Sequence, residues 1–175
     1  MDKGTIIYLN GVTSTGKTSI SRELQRQSEK IIYNLSNDMI SYILNRERYN
    51  KDYWGTLFNT FYVMYDLAVM LADKGHDVII DAMVVNPPGI SGHYEYIKEV
   101  FRDSKLAMVE VYCPLEECRR RNIARGDRRE FQSQEQYDTM VLDVIHDLTI
   151  NSFENDSATC AAQILEFIRK ERKSI

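Results

Sequence analysis

The chain has 175 residues, 43% of them hydrophobic and 27% charged, which suits one folded domain over residues 1–175 and excludes a disordered protein. A net charge of −4 argues against a nucleic-acid-binding protein, which normally has a basic face. No apolar run approaches the roughly 18 residues that a transmembrane helix needs, and no signal peptide precedes the first strand, so we expect a cytoplasmic protein without membrane contacts.

Five short apolar runs alternate with helical patterns along the chain, which is typical of an α/β fold built from βαβ units around a mostly parallel sheet. Apolar residues at three- and four-residue spacing predict a helix over residues 54–72, which ends at Lys74-Gly75. A last helix is predicted around residues 161–168, with Asp156 or Ser157 as its N-cap. The apolar runs predict strands at Thr5–Asn10, Ile31–Leu35, Asp77–Met83, Leu106–Cys113 and Asp147–Asn151.

The loop after the first strand matches the phosphate-binding pattern G-x-x-x-x-G-K-[ST] at every fixed position. Its glycines allow backbone N–H groups to converge on phosphate oxygens at the N-terminus of the following helix. The pattern assigns Lys17 to the β- and γ-phosphates and the Thr18 hydroxyl to Mg²⁺. The alternative is a glycine-rich turn with a solvated lysine, but the flanking strand and helix favour a nucleotide site. The loop comprises Gly11, Val12, Thr13, Ser14, Thr15, Gly16, Lys17 and Thr18.

A small kinase is the class of P-loop protein that the rest of the sequence favours. A GTPase would add a guanine-reading N-K-x-D motif after a later strand. The partial match at Asn50-Lys51 has tyrosine in the last position and no strand before it. Small kinases instead combine a P-loop core with an acceptor pocket and an arginine-bearing lid, which the sequence also offers.

Six arginines fall within eleven residues of a chain that is acidic as a whole. Guanidinium groups stabilise the charge on phosphoryl oxygens during transfer, so this cluster predicts a lid segment over residues 119–134. We assign the role in transfer to the loop that contains Arg125 and Arg128. The alternative, a solvated helix face paired with nearby glutamates, suits the first three arginines better. The cluster comprises Arg119, Arg120, Arg121, Arg125, Arg128 and Arg129.

Two carboxylates lie at or just after the ends of predicted strands, where ligands of parallel sheets bind. Asp81, at the tip of the third strand, is expected to hold Mg²⁺ or a coordinating water, and a strand-ending cap is the alternative. Asp38 follows the second strand and is expected to accept the proton of the acceptor hydroxyl. The alternative for Asp38 is the N-cap of a helix, and one residue fills both roles only if its side chain turns inward.

Aromatic residues crowd the acceptor region, which we place at about residues 38–62. Most of those at helical spacing are expected in the core, whereas Tyr49, Tyr53 and Trp54 precede that stripe and are candidates for the acceptor pocket. An acceptor pocket lined by aromatic side chains favours a neutral acceptor, because a nucleoside monophosphate would need basic residues to bind its phosphate. His93, in the loop after the third strand, is also assigned to the pocket, with a purely structural role as the alternative.

Several segments resemble the chloramphenicol phosphotransferase-like kinases over nearly the whole chain. They are I-I-Y-L-N-G-V-T-S-T-G-K-T-S-I, V-I-I-D and C-P-L-E-E-C-R-R-R-N-I-A-R-G-D-R. The resemblance implies a three-layer P-loop kinase fold with sheet order 2-3-1-4-5, ATP as donor and a hydroxyl as acceptor. It also implies that Asp38 is the base and that Arg125 and Arg128 are lid arginines. The match is lost at residues 45–57 and 86–93, which should shape the acceptor site.

The leading hypothesis is an ATP- and Mg²⁺-dependent kinase that phosphorylates a hydroxyl of a small neutral molecule, with chloramphenicol or a related antibiotic as a candidate. A toxin-type nucleotide-sugar kinase and a nucleotide-binding regulatory protein without an acceptor remain as alternatives. The choice between ATP and GTP and the oligomeric state stay open at this point.

Overall fold

A five-stranded, wholly parallel sheet runs through the centre of the protein, in the order β2-β3-β1-β4-β5. This computed structural model describes residues 2–44, 53–127 and 129–173, without the side chains of residues 53, 172 and 173. The predicted fold class and strand order are confirmed. The strands are β1 (Thr5–Asn10), β2 (Ile32–Ser36), β3 (Asp77–Ala82), β4 (Lys105–Tyr112) and β5 (Leu148–Asn151).

Helices cover both faces of the sheet, which makes three layers. None of those in the described ranges is long and apolar enough to cross a bilayer. The two predicted helices are present, and Gly75, with φ of 85°, ends the first of them. The helices are α1 (Lys17–Gln27), α2 (Asn37–Tyr42), α3 (Tyr53–Asp73), α4 (His93–Val100), α5 (Leu115–Arg125), α6 (Gln132–Tyr137) and α7 (Ser157–Lys173).

Alternate residues of β1 belong to different hydrophobic cores, because successive side chains of a strand point to opposite faces. Ile7 and Leu9 pack with α1 and α7, whereas Ile6 and Tyr8 pack with α3 and α4. All four side chains are at most 1% exposed. A strand buried on both faces explains the continuous apolar run that opens the sequence.

The predicted strand ends differ from the observed ones by one residue in β2, β3, β4 and β5. The shift in β2 has a clear cause, since Ile31 is 75% exposed while the backbone of Ser36 pairs with Asp81 of β3. The last helix begins after Asp156, whose Oδ1 accepts a hydrogen bond from the N–H of Thr159 at 2.8 Å. Asp156 is therefore the N-cap, one of the two predicted candidates.

The sheet register brings three predicted site segments to one edge. Leu9 and Ser36 both pair with Asp81, so the ends of β1, β2 and β3 lie side by side. The loop after β1, the start of α2 after β2 and the carboxylate on β3 consequently share the carboxyl edge of the sheet, where ligands of such folds bind.

Candidate active site

A cleft of about 1040 Å³ opens at the carboxyl edge of the sheet. The loop after β1, α2, α3, the end of β3 and the α5–α6 segment all contribute to its wall. Lys17, Thr18, Asp38, Asp81 and Arg125, five of the residues predicted to act in the site, line this one cleft. Arg128 lies outside the described residues.

The phosphate loop has the tight conformation that its glycines allow. Gly16 has a φ of 96°, in the left-handed region that glycine tolerates. A Cβ on Gly11 would come within 2.8 Å of the carbonyl oxygen of Val111, so the loop lies flat against β4. Lys17 Nζ donates to the carbonyl oxygens of Gly11 and Val12 at 2.6 and 3.0 Å, which folds the ammonium group over the loop.

Ser14, in the middle of the loop, has a φ of 64°, which a residue with a side chain rarely adopts. Its hydroxyl donates to Oδ1 of Asn122 at 2.6 Å, and its carbonyl oxygen accepts from the guanidinium of Arg121 at 3.3 Å. Asn122 is fully buried on α5. Two side chains of α5 therefore hold the strained residue of the phosphate loop in place.

The Thr18 hydroxyl donates to Oδ2 of Asp81 at 2.7 Å, and Lys17 Nζ lies 4.0 Å from Oδ1 of the same carboxylate. Oxygen ligands of this kind suit Mg²⁺, which commonly takes one or two carboxylates and completes its shell with substrate phosphates and water. The described residues contain no cluster of three or more acidic, histidine or cysteine side chains, so this is no all-protein metal cage. Thr18 and Asp81 thus fit a nucleotide-bound magnesium ion.

Asn34 adds an unusual feature to the same cleft wall. Its Oδ1 is buried and, among the described residues, is the one such side-chain oxygen or nitrogen without a hydrogen-bond partner. Buried polar groups are normally paired. Sequence reasoning did not single out this residue, because an asparagine inside a strand has no local signature.

Asp38 lies in the first turn of α2 and is exposed to the cleft. The alternative reading of this residue as the helix N-cap is wrong. Ser36 is the cap, because its side-chain oxygen accepts from the N–H of Met39 at 3.2 Å. The side chain of Asp38 is therefore not committed to capping, and the proton-acceptor role stays a prediction.

Three arginines of the predicted lid segment are paired with carboxylates. Arg119 pairs with Glu130, Arg125 with Asp127 and Arg129 with Glu135. Their ion pairs are mostly exposed, so each contributes little to stability and can be exchanged for contacts with a ligand.

Arg120 and Arg121 share one carboxylate, that of Glu117. Their hydrogen bonds hold the pKa of Glu117 at about 2. The expected pairing of the first arginines with nearby glutamates is thus present. Arg121 also reaches the phosphate loop, which sequence reasoning missed.

Apolar side chains form one wall of the cleft. Trp54 lines it, as predicted, together with Tyr42, Leu57 and Phe61. Tyr49 lies outside the described residues, and so does the side chain of Tyr53.

His93 is not in the cleft wall, contrary to expectation. It begins α4 and is 2% exposed, packed against the rings of Phe58 and Phe61. Its Nε2 lies 2.8 Å from the Tyr65 hydroxyl, and its Nδ1 accepts from the N–H of Val85 at 3.1 Å. Burial lowers the pKa of His93 to about 4, so the ring is a neutral core residue at pH 7.

A second, smaller cleft of about 390 Å³ adjoins the start of α1 and was not predicted. It lies between Gly16 and Arg121 on one side and the loop of residues 152–157 after β5 on the other. Ser152 joins the two sides of this smaller cleft. Its hydroxyl donates to the carbonyl oxygen of Thr15 at 2.6 Å, and its own carbonyl oxygen accepts from Arg121 at 3.0 Å.

Comparison with protein families identifies the family to which the sequence belongs. The profile of the chloramphenicol phosphotransferase-like proteins matches residues 4–169. Among proteins of curated function, none matches significantly.

Several solved structures have the same fold. The Mycobacterium tuberculosis APS kinase CysC, solved with AMPPNP and APS, superposes with a TM-score of 0.72 at 18% identity, and the match covers 97% of this chain and 99% of that chain. A gluconokinase from Sinorhizobium meliloti 1021 gives a TM-score of 0.68 at 13% identity, over 99% of this chain and 95% of its own. A sugar kinase from Janibacter sp. HTCC2649 gives 0.64 at 14%, over 95% of both chains.

Proposed function

The chain belongs to the chloramphenicol phosphotransferase-like family and is a small-molecule kinase of the P-loop class, and we propose that it transfers the γ-phosphoryl group of ATP to a hydroxyl of a small neutral molecule. One observation carries the proposal. The cleft that holds Lys17, Thr18 and Asp81 for a nucleotide also presents Asp38 beside an apolar wall.

The nucleotide is proposed to occupy both clefts. Its base fits the smaller one, between Arg121 and the loop of residues 152–157, and its phosphates follow the phosphate loop from Gly16 into the larger one. The loop N–H groups and Lys17 would bind the phosphates, and Thr18 with Asp81 would hold Mg²⁺. Bound there, the ion would neutralise charge on the β- and γ-phosphate oxygens.

The acceptor is proposed to be uncharged. Trp54, Leu57 and Phe61 supply an apolar surface on that side of the cleft. Arg129, one of the cationic side chains in the cleft lining, is paired with Glu135. An anionic acceptor that bound to this arginine would have to break that pair, whereas a neutral alcohol with an apolar ring would leave it intact. Chloramphenicol and related antibiotics have this chemistry.

In the proposed reaction the acceptor oxygen attacks the γ-phosphorus, and the bond from that phosphorus to the β–γ bridging oxygen breaks. Asp38 takes the proton of the acceptor hydroxyl, so the products are a phosphate ester and ADP. Arg125 and Arg128 would stabilise the charge on the transferred group. Tyr53, Trp54 and Asp38 are the residues we assign to acceptor binding, while His93 drops out because it is buried in the core.

The test measures phosphoryl transfer from ATP to an added alcohol. Purified protein is incubated with ATP, Mg²⁺ and either chloramphenicol or a panel of neutral alcohols, and products are examined by mass spectrometry for the addition of one phosphoryl group. The matched control is Lys17→Met, which keeps the stem of the side chain and removes its charge. An ester formed only by the wild type would support the proposal.

Two negative results have different meanings. Absence of product with chloramphenicol alone would remove that acceptor and leave the proposal standing for other alcohols. Absence across the whole panel, with ATP binding demonstrated separately, would contradict transfer to a neutral hydroxyl.

A further inference from the structure

Consecutive residues of the phosphate loop donate hydrogen bonds to two side chains of the α5–α6 segment. The N–H of Thr13 donates to Oε1 of Gln136 on α6 at 2.6 Å. The hydroxyl of Ser14 donates to Oδ1 of Asn122 on α5 at 2.6 Å. The loop that should hold phosphates is thus tied to the segment that carries the lid arginines.

The two ties differ in how easily a ligand can replace them. Asn122 is fully buried, and its amide nitrogen also reaches the Ser133 hydroxyl at 3.1 Å and the carbonyl oxygen of Glu130 at 3.3 Å. Breaking the hydrogen bond between Ser14 and Asn122 would leave a buried amide oxygen unpaired, which costs free energy. Gln136 is half-buried and lines the large cleft, so its bond to the loop is open to competition.

The position of Thr13 indicates which ligand atom competes. Gly16 contributes to both clefts, whereas Thr13 contributes only to the larger one, which also contains Asp38. A nucleotide with its base in the smaller cleft would run along the loop away from Gly16, and its terminal phosphoryl group would come to the Thr13 end. A phosphoryl oxygen is charged and makes a stronger hydrogen bond to an N–H than a carboxamide oxygen does.

We propose that Gln136 is a positioning residue that couples the presence of the terminal phosphoryl group to the placement of α6; this inference rests on the proposed function. In the protein without nucleotide the carboxamide of Gln136 holds the Thr13 N–H. A triphosphate displaces it, while a diphosphate does not reach it. Displacement frees the end of α6 that carries Gln136, while the buried bond from Asn122 to Ser133 still holds the start of the helix. Glu135, next to Gln136, pairs with Arg129, so this arginine rearranges only when a transferable group is present.

The test compares the affinities of ADP and a non-hydrolysable ATP analogue by calorimetry, which requires no acceptor. In Gln136→Leu the competing hydrogen bond is gone, and we expect the analogue to bind about three- to tenfold more tightly while ADP affinity stays constant. Gln136→Glu should weaken the analogue more than ADP, because its carboxylate repels the terminal phosphoryl group. The matched control, Gln134→Leu, lies on the outer side of the same helix and should change neither affinity.

Equal changes for the two nucleotides in Gln136→Leu, or no change in either, would overturn the coupling role. If Gln136→Leu folds poorly, Gln136→Glu provides a second measurement. Equal weakening of ADP and analogue binding in Gln136→Glu would also overturn the coupling role. Wild-type protein that binds neither nucleotide would overturn the proposed function itself, and the inference with it.

Discussion

Thr18 and Asp81 are 63 residues apart in sequence, yet the Thr18 hydroxyl donates to the Asp81 carboxylate at 2.7 Å. The bond joins the first turn of α1 to the tip of β3. It places a hydroxyl oxygen and a carboxylate side by side at the end of the phosphate loop, where they would fit a nucleotide-bound Mg²⁺.

Asp81→Asn should raise the Mg²⁺ concentration that gives half-maximal activity by about ten- to a hundredfold, because an amide keeps the shape of the side chain and removes its charge. The measurement is a magnesium titration of the initial rate at saturating ATP. Asp73→Asn, an exposed carboxylate paired with Lys3 away from the cleft, is the control. An unchanged magnesium dependence would exclude Asp81 as a ligand.

Asp38→Asn should lower kcat by about 10²- to 10⁴-fold with little change in nucleotide affinity, because it removes the proton acceptor. The free energy of unfolding of Asp38→Asn should equal that of the wild type, because Ser36 and not Asp38 caps α2. Ser36→Ala removes the cap of α2, so it should lower the free energy of unfolding by about 1 kcal/mol in denaturant titrations. A kcat within a few-fold of wild type in Asp38→Asn would show that the carboxylate is not the base.

Replacing Arg125 or Arg128 by lysine should reduce kcat at least about tenfold while the KM for ATP stays nearly constant, because lysine keeps the charge but loses the planar fork that grips two oxygens. Steady-state kinetics of each variant give both constants. Arg119→Lys, whose side chain pairs with Glu130 and does not line the cleft, is the control. A rise in KM equal to the fall in kcat would identify ground-state binding residues instead.

Stability should fall as the pH drops from about 6.5 to 4, partly because of His93. Burial lowers its pKa from 6.5 to about 4, so in this interval the unfolded chain binds a proton that the folded protein does not. The difference amounts to about 3 kcal/mol across the interval. Urea titrations at pH 7 and 4.5 should show a smaller loss for His93→Gln than for wild type. His76→Gln is the control, and the same loss in wild type and His93→Gln would contradict this role.

The sheet and the phosphate loop were predictable because their signals are local. The β-branched residues of β1 and the glycines at 11 and 16 carry the information within a few positions. The one-residue error in β2 arose because Ser36 serves two elements, as a strand residue by its backbone and as the cap of α2 by its side chain.

Residues that act through distant contacts were not predictable. His93 follows Gly92 and Pro-rich sequence and looks like a loop residue, but its ring meets Phe61 and Tyr65, which lie about thirty residues earlier. Gln136 lies 123 residues from the N–H it accepts. No periodicity or motif encodes such pairs, which depend on how the elements pack.

The two halves of the large cleft come from different stretches of chain. The phosphate loop and the α5–α6 segment line the side that we propose for the nucleotide, while α2 and α3, which lie between β2 and β3, line the side that we propose for the acceptor. The proposed acceptor side thus comes from one continuous stretch of chain, whose helix α3 also packs in the core against β1, where the hydroxyls of Tyr65 and Tyr8 are hydrogen-bonded. A chimera that takes only the cleft-lining residues of α2 and α3 from a relative, and keeps the buried ones, should therefore retain the fold and inherit that relative's choice of alcohol.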